Sequence, residues 1–361
     1  MTSHADHPAV LVVGSGISGL ACARALTTAG VTVRVVDRGR AVGGRLATKR
    51  LDDRPVDIGA RYFTVPDGSP FGPLVDDWLA RGLVRPWTDA FDVIDGTLEV
   101  DARDRRTGPA RYAAPAGLRS LATDLAERLR ADGVPVDQGV DVQRVDADGR
   151  VAGIRYDAVV LAMPDPQAKR MLAPDSPAAA EVSGADAWQP TLSVVARWPR
   201  RLWPDDLHGA FVDGAGARAQ AAGPDGADNP GADNPSAVLA FVADDGDRRG
   251  DGAPVLVAHT TAGFARQHLE HPEAAVAPVV AAMQTLLGID EPPLTTYAHR
   301  WSFSAPADQH AAPYLLSGRI GVCGDAWGER SAVATAYTSG DALGRALGER
   351  LTARAGAVLD I

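Results

Sequence analysis

The 361-residue sequence predicts an α/β chain of two lobes, one doubly wound and one built on a mixed or antiparallel sheet. Three observations carry this. Residues 9 to 37 alternate strand, helix and strand around a GxGxxG run. A strand, a Gly-Asp turn and a helix of small residues occupy the chain from about 319 onward. Between them, SAVLAFVADD and APVLVAHTTAG are β-like and fit a sheet of their own.

In order along the chain, Ala9 to Val13 forms an apolar strand, a glycine turn opens a helix of about a dozen residues, and Val31 to Val36 supplies the next strand. This is the Rossmann-type βαβ unit. Gly14 serves the tight turn, Gly16 lets the backbone approach a pyrophosphate, and Gly19 lets helix and strand pack closely. The N–H groups around Ile17 and Ser18 and the positive end of the helix would face the phosphates. Asp37, 18 residues beyond Gly19 and followed by Arg38, stands where a carboxylate accepts hydroxyls of an adenosine ribose. Next, Gly43 and Gly44 would expose backbone N–H groups to a phosphate, with Arg45 bridging it. The fingerprint does not by itself choose between FAD and NAD.

Composition limits the alternatives. The formal charge of −10 opposes nonspecific attraction to nucleic acid or an anionic membrane. No apolar run reaches membrane-spanning length, and the polar start MTSHADHP lacks the pattern of a secretory signal, so a cytoplasmic enzyme without an obligate protein partner is expected. Cys22 and Cys323 form neither a disulfide framework nor a metal site and read as buried thiols. The ADNP repetition within 213–236 reads as an irregular surface connection.

The run GGRLATKR followed by DIGARYFT resembles the N-terminal half of flavoprotein amine oxidases, and in particular bacterial renalase-type oxidoreductases. That resemblance implies noncovalent FAD, with Gly59, Ala60 and Arg61 approaching the flavin and Tyr62 or Phe63 near its substrate side. It also implies that the stretch containing Val142 passes beside adenine. The late Gly324-Asp325 turn resembles the family's C-terminal flavin motif. Asp325 would then bind a ribityl hydroxyl, and the helix beginning near Ala332 and Val333 would direct its positive end at the flavin. The two ends together bracket one elongated FAD in a discontinuous domain (1–69, 111–169, 311–361), leaving 70–110 and 170–310 for the substrate lobe.

Substrate-side residues follow from the same resemblance. His259, at a strand exit, reads equally as a substrate contact or a structural hydrogen-bonding group. In YAHRWSFSAP, pleat alternation places His299 and Trp301 on one side and Arg300 on the other; Trp301 would be a flat wall over a ring or simply packed. No Ser-His-Asp, Cys-His or metal-ligand constellation is present, and transfer of hydride to flavin does not require a dedicated base. The resemblance therefore implies oxidation of 2- or 6-dihydro forms of NAD(P), with O2 reduced to H2O2. Oxidation of a small or hydrophobic amine is the alternative, weakened because the only lysines, Lys49 and Lys169, lie outside the C-terminal half where related oxidases carry one near the flavin.

Overall fold

The computed structural model describes residues 9–95, 103–213 and 234–359. Its first sheet runs, edge to edge, through Leu315–Ser317, Ile320–Val322, Ala158–Leu161, Ala9–Val13, Thr32–Asp37 and Val136–Gln138. All neighbours are parallel except the 315–322 hairpin. Val10, Val12, Val33, Val35 and Val160 are buried among the helices on one face, as a covered parallel sheet requires.

The second sheet has seven strands, ordered Thr295–Pro306, Trp188–Arg197, Val255–Thr260, Leu239–Asp244, Gly209–Asp213, Arg85–Asp95 and Arg103–Ala113. Only the pair 209–213 with 85–95 is parallel, so the sheet is mixed. Because side chains alternate, its outer face packs Leu192, Val194, Val242, Leu256 and Ala258 with Val279 and Met283 of the Val276–Leu287 helix. The register assigns the opposite face to Trp301, His299, Ser193, His259, Phe241 and Phe211 across successive strands. That inner face is turned to the first lobe.

The lobe boundaries differ from those expected. The Gly72–Ala80 helix buries Leu74, Val75 and Trp78 beside Leu121 and Leu125 of the Arg119–Ala131 helix, within the first lobe's core. Likewise Ala168, Leu172, Ala178 and Val182 pack with Leu161 and Val322. Apolar helix faces join whichever sheet they can cover, irrespective of where a sequence boundary is drawn. Of the irregular connection at 213–236, residues 214–233 lie outside the described residues. Among the described residues no helix is long and apolar enough to cross a membrane.

Two helices that begin near the glycine turns lie against each other. A Cβ on Gly340 would stand 1.9 Å from the Ser18 carbonyl oxygen, one on Gly344 2.5 Å from the Cys22 carbonyl oxygen, and one on Gly348 2.7 Å from the Ala29 methyl. The four-residue spacing puts all three on one side of the Val333–Leu359 helix, facing Ile17–Thr28. Cys22 and Cys323 are both buried near this crossing, and the hydrogen bond between them, together with burial, pushes the Cys22 thiol up. Gly340→Val should therefore cost about 3 kcal/mol or more by forcing the helices apart, whereas Glu349→Val, on the exposed side, should change stability by no more than about 0.5 kcal/mol. Thermal denaturation of the two variants checks this.

Candidate active site

The nucleotide end is built around Gly14 and Asp37. Gly14 has φ +113°, and a Cβ there would lie 2.4 Å from the Ala162 carbonyl oxygen; a Cβ on Gly19 would lie 2.0 Å from the Gly14 oxygen. Gly16 differs, for a Cβ there meets nothing within 4 Å. That open space in front of the Ile17–Thr28 helix, which has no side-chain cap and no acid in its first turn, suits a diphosphate. Ile17 and Ser18 offer only backbone, because the Ile17 side chain is in the core and Ser18 lies beneath Gly340.

Asp37 accepts hydrogen bonds from the Ser15 N–H (2.7 Å), the Ser15 hydroxyl (2.9 Å) and the Gly39 N–H (2.7 Å). With two acceptor sites per oxygen it retains capacity for a ribose hydroxyl. Val140 N–H donates to the Asp37 carbonyl, bringing the 140–142 segment to this end; the Val142 side chain itself packs into the core. Arg38 is exposed beyond Asp37.

Further along, three distant segments meet at Arg45. Its guanidinium forms a two-pronged pair with Asp325, with one arm at 2.9 Å, and also donates to the Ser304 carbonyl (3.0 Å). Ser331, just before the last helix, donates to the same carboxylate. Asp325 is thus already gripped by the expected phosphate-bridging arginine, leaving one acceptor site for a hydroxyl. Gly43 N–H donates to the Ser15 carbonyl and so is not left for a phosphate as expected, while Gly44 lies with its Cβ direction 3.5 Å from Gly16 Cα, beside the Gly16 space. Ala332 opens the final helix by accepting from Ala336 N–H, with Val333 half-buried beside it. A Cβ at Gly324 would meet only the Met163 carbonyl, at 3.7 Å. The glycine-lined space, the two helix starts and the remaining carboxylate capacity fit FAD.

The Asp57–Ala60 run lies close beneath the second sheet. A Cβ on Gly59 would be 2.0 Å from the Arg45 carbonyl oxygen, and Ala60 N–H donates to that same oxygen. From above, Ser193 hydroxyl (2.6 Å) and Trp301 Nε1 (2.7 Å) donate to the Ile58 carbonyl, while His259 Nε2 lies 2.9 Å from the Gly59 carbonyl. Since a carbonyl only accepts, Nε2 carries the proton and Nδ1 is left as a buried acceptor with no partner among the described residues. Of the two expected readings of His259, the structural one holds, since the ring is buried and bonded to backbone and Nδ1 is closed off from any substrate. Trp301 commits its polar atom to the backbone, leaving its face as any wall. His299 meets Trp301 edge-on at 4.5 Å, and Arg300 points away to donate to the Leu269 carbonyl.

Two expected residues are placed differently. Phe63, 2% exposed, stacks on Tyr112 and meets Phe71 in the first lobe's core, so only Tyr62 of that pair reaches the inner face, against Phe91 and Phe241. Arg61 turns its side chain to the second sheet, over Phe241 (5.0 Å) and Phe211 (5.9 Å), instead of toward a cofactor. The aromatic cluster of Tyr62, Trp87, Phe91, Phe211 and Phe241 went unread in the sequence; its signal was the alternation of rings in RPWTDAFDVID, which only strand pairing aligns with GAFVD and LAFVAD. Trp188, Trp198 and Trp301 occupy three different clusters, with Trp203 beside Trp198, so these four form no cage.

Burial, with the nearby Arg61 and Arg248 cations, lowers the His259 pKa to about 3, partly opposed by its bond to Gly59. Below pH 6.5 the unfolded chain would take up a proton that the folded chain refuses until about pH 3. Stability conferred above pH 6.5 is therefore lost as pH falls through that window, at a limiting slope of about 1.4 kcal/mol per unit. His259→Gln keeps a donor for Gly59 without this titration. Urea denaturation from pH 7 to 4.5 should show a shallower loss for this variant than for the native chain; equal slopes would contradict the assignment.

Comparison with known proteins agrees with the geometry at the level of the fold. A polyamine oxidase 4 of Arabidopsis thaliana, so named as probable, is 44% identical over 69 residues, 19% of this chain and 14% of its own. Putrescine oxidase of Kocuria rosea is 41% identical over 68 residues, again 19% and 14%. These matches span only about a seventh of the curated relatives' length. Among solved structures, cyclohexylamine oxidase from Brevibacterium oxydans superposes with TM-score 0.68 at 14% identity, covering 96% of this chain and 100% of that one. Wild-type putrescine oxidase bound to putrescine gives 0.63 at 16%, covering 96% and 99%. A model of the NAD(P)-binding Rossmann-like domain matches residues 12–78. The model of the flavin containing amine oxidoreductases matches 96–342, more than half of the chain and every strand of the second sheet except Arg85–Asp95. The chain accordingly belongs to the flavin containing amine oxidoreductases, and FAD is the cofactor of its glycine-lined lobe.

Proposed function

We propose that this protein is an FAD-dependent oxidase of 2- or 6-dihydro-NAD(P), releasing NAD(P)+. The observation that carries the reading is the character of the inner sheet face. From Trp301 to Phe211 it presents aromatic rings, a serine and two imidazoles whose pKa values burial lowers, and no carboxylate occurs in that row. Such a surface suits a planar ring that needs no proton removed from it. The partial likeness of GGR…DIGARYFT to renalase-type enzymes supports the same substrate.

FAD, when bound, supplies the hydride acceptor and allows O2 to be reduced to H2O2. The chain's own contribution is placement. Ser193, His259 and Trp301 hold the Ile58–Gly59 carbonyls in fixed positions, so the peptide that would border the flavin does not shift during turnover. The lowered pKa keeps buried His259 neutral across the physiological range, so its Nε2–H stays committed to the Gly59 carbonyl. Burial and the Lys49, Arg119 and Arg300 cations similarly favour neutral His299. A dihydropyridine that loses hydride recovers an aromatic ring, so the donor requires no base.

Amine oxidation is the second reading, favoured by the relatives named polyamine and putrescine oxidases. Against a cationic diamine stands the same carboxylate-free row. Lys169 donates to the Val182 carbonyl, and Lys49 sits over Tyr297 at 5.1 Å.

Stopped-flow absorbance of the FAD-loaded chain under anaerobic conditions separates the two. The 2- and 6-dihydro isomers should bleach the flavin rapidly, ordinary β-NAD(P)H and putrescine slowly, and admitted O2 should restore the colour with H2O2 formed. Rapid bleaching by an amine and none by either isomer would select the second reading.

A further inference from the structure

The inner face ends at a pair of arginines that no carboxylate among the described residues pairs with. Arg61 lies over Phe241 and Phe211, and Arg111 over Phe91 (4.2 Å) and Tyr62 (5.7 Å). The rings interlock, with Phe91 at 5.3 Å from Phe241 and 5.8 Å from Phe211, so the two cations bracket one aromatic cluster. Among the described residues, neither guanidinium forms an ion pair, whereas three other arginines at the lobe junction do. Arg54 pairs with Asp245 and Asp251, Arg248 with Asp245, and Arg249 with Asp57. Arg111 Nη1 is buried with no hydrogen-bond partner. Burial holds the Arg61 pKa below its ordinary range.

A cation over ring faces recovers part of its lost hydration, but its N–H donors still call for acceptors. A cleft opens beside Arg111, walled by it and by Phe91, Phe211, Val93 and Thr107, and Arg61 lies over the shared Phe211 ring. Arg106 at its mouth is already paired with Asp104. The cleft shares Phe211 and Phe91 with the cluster that continues through Phe241 to His259, 6.4 Å away centroid to centroid. Phe241 and His259 are themselves buried, so a ligand at this end would occupy the cleft beside Phe91 and Phe211, where it meets Arg111 with Arg61 across the Phe211 ring.

We propose that Arg61 and Arg111 form an oxyanion subsite at the outer end of the substrate chamber, so that the substrate carries a phosphate or carboxylate remote from its oxidised carbon. This rests on the reading that the inner sheet face covers the substrate. It deepens that reading without choosing the oxidised ring. A phosphate would mark a nucleotide donor and a carboxylate an amino or aromatic acid. Uncharged amines and diamines would gain nothing from the subsite.

The test uses binding to the FAD-loaded full chain, followed by calorimetry and by perturbation of flavin absorbance, with inorganic pyrophosphate and benzoate as probes. The native chain should bind one of them, and which one distinguishes the two anion sources. Arg61→Met and Arg111→Met should each weaken that binding about 10- to 100-fold, as loss of a charged hydrogen-bonding partner does. Arg111→Lys, which keeps the charge and is the milder change, should recover part of the affinity with a steeper dependence on salt. Failure of the native chain to bind either anion would overturn the proposal, as would unchanged affinity in the arginine variants. Because the readout is binding, absent bleaching by dihydronicotinamides would overturn the oxidase reading while leaving the subsite intact, and lost anion binding would do the converse.

Discussion

Arg248 is fully buried and distributes its donors over two lobes. It pairs with Asp245 on its own helix, and donates to the Arg61 carbonyl (2.8 Å) and the Asp57 carbonyl (3.1 Å) across the junction. Its neighbour Arg249 reaches the Asp57 carboxylate at 3.5 Å and the Pro115 carbonyl at 2.8 Å. Asp57 in turn accepts from Thr48 and from Leu118 N–H. Three arginines (54, 248, 249) thus meet three aspartates (57, 245, 251) around the segment on which the site rests. Burying such charges is costly, and burial still pushes the Asp57 carboxyl upward despite its partners. Removing one partner would cost about 3–5 kcal/mol, so the cluster functions as an all-or-none fastening.

What it fastens is the Asp57–Arg61 backbone. That stretch is held from below by Arg45 and Ala47, from the side by Arg248, and from above by Ser193, Trp301 and His259. A junction of this kind explains why the inner face can be mostly apolar and still be positioned accurately. The polar contacts are spent on backbone at its centre, and the rings toward the Arg103–Ala113 edge pack on one another. It also explains why Arg61 is directed to the sheet. Its carbonyl is pinned to Arg248, and its side chain lies over Phe241 and Phe211.

The nucleotide lobe was legible because its requirements are local. Gly14, Gly19 and Asp37 lie within one βαβ unit, and spacing alone encodes the turn, the close approach and the terminal carboxylate. The pleat of YAHRWSFSAP was legible for the same reason, separating His299 and Trp301 from Arg300. Features that depend on distant pairing were not. Phe211 and Phe241 come together through strand register, the three glycines of the final helix gain meaning only against Ser18, Cys22 and Ala29, and the partnering of Arg45 with Asp325 joins residues 280 apart. The helix at 72–80 was assigned by its position in the chain, whereas Trp78, hydrogen-bonded to buried Asp124, determines its lobe.

The central claim is that Arg248 holds the floor of the site from the opposite lobe. Arg248→Lys retains a positive charge for Asp245 but loses the planar fork that reaches two carbonyls. Hydrogen–deuterium exchange of the FAD-loaded chain, resolved at residues 57–61, tests this directly. Faster exchange there and at 245–249, with the Ile17–Thr28 helix unchanged, is the result expected. Unaltered protection at 57–61 would show that the floor is held by its own lobe, contrary to this account.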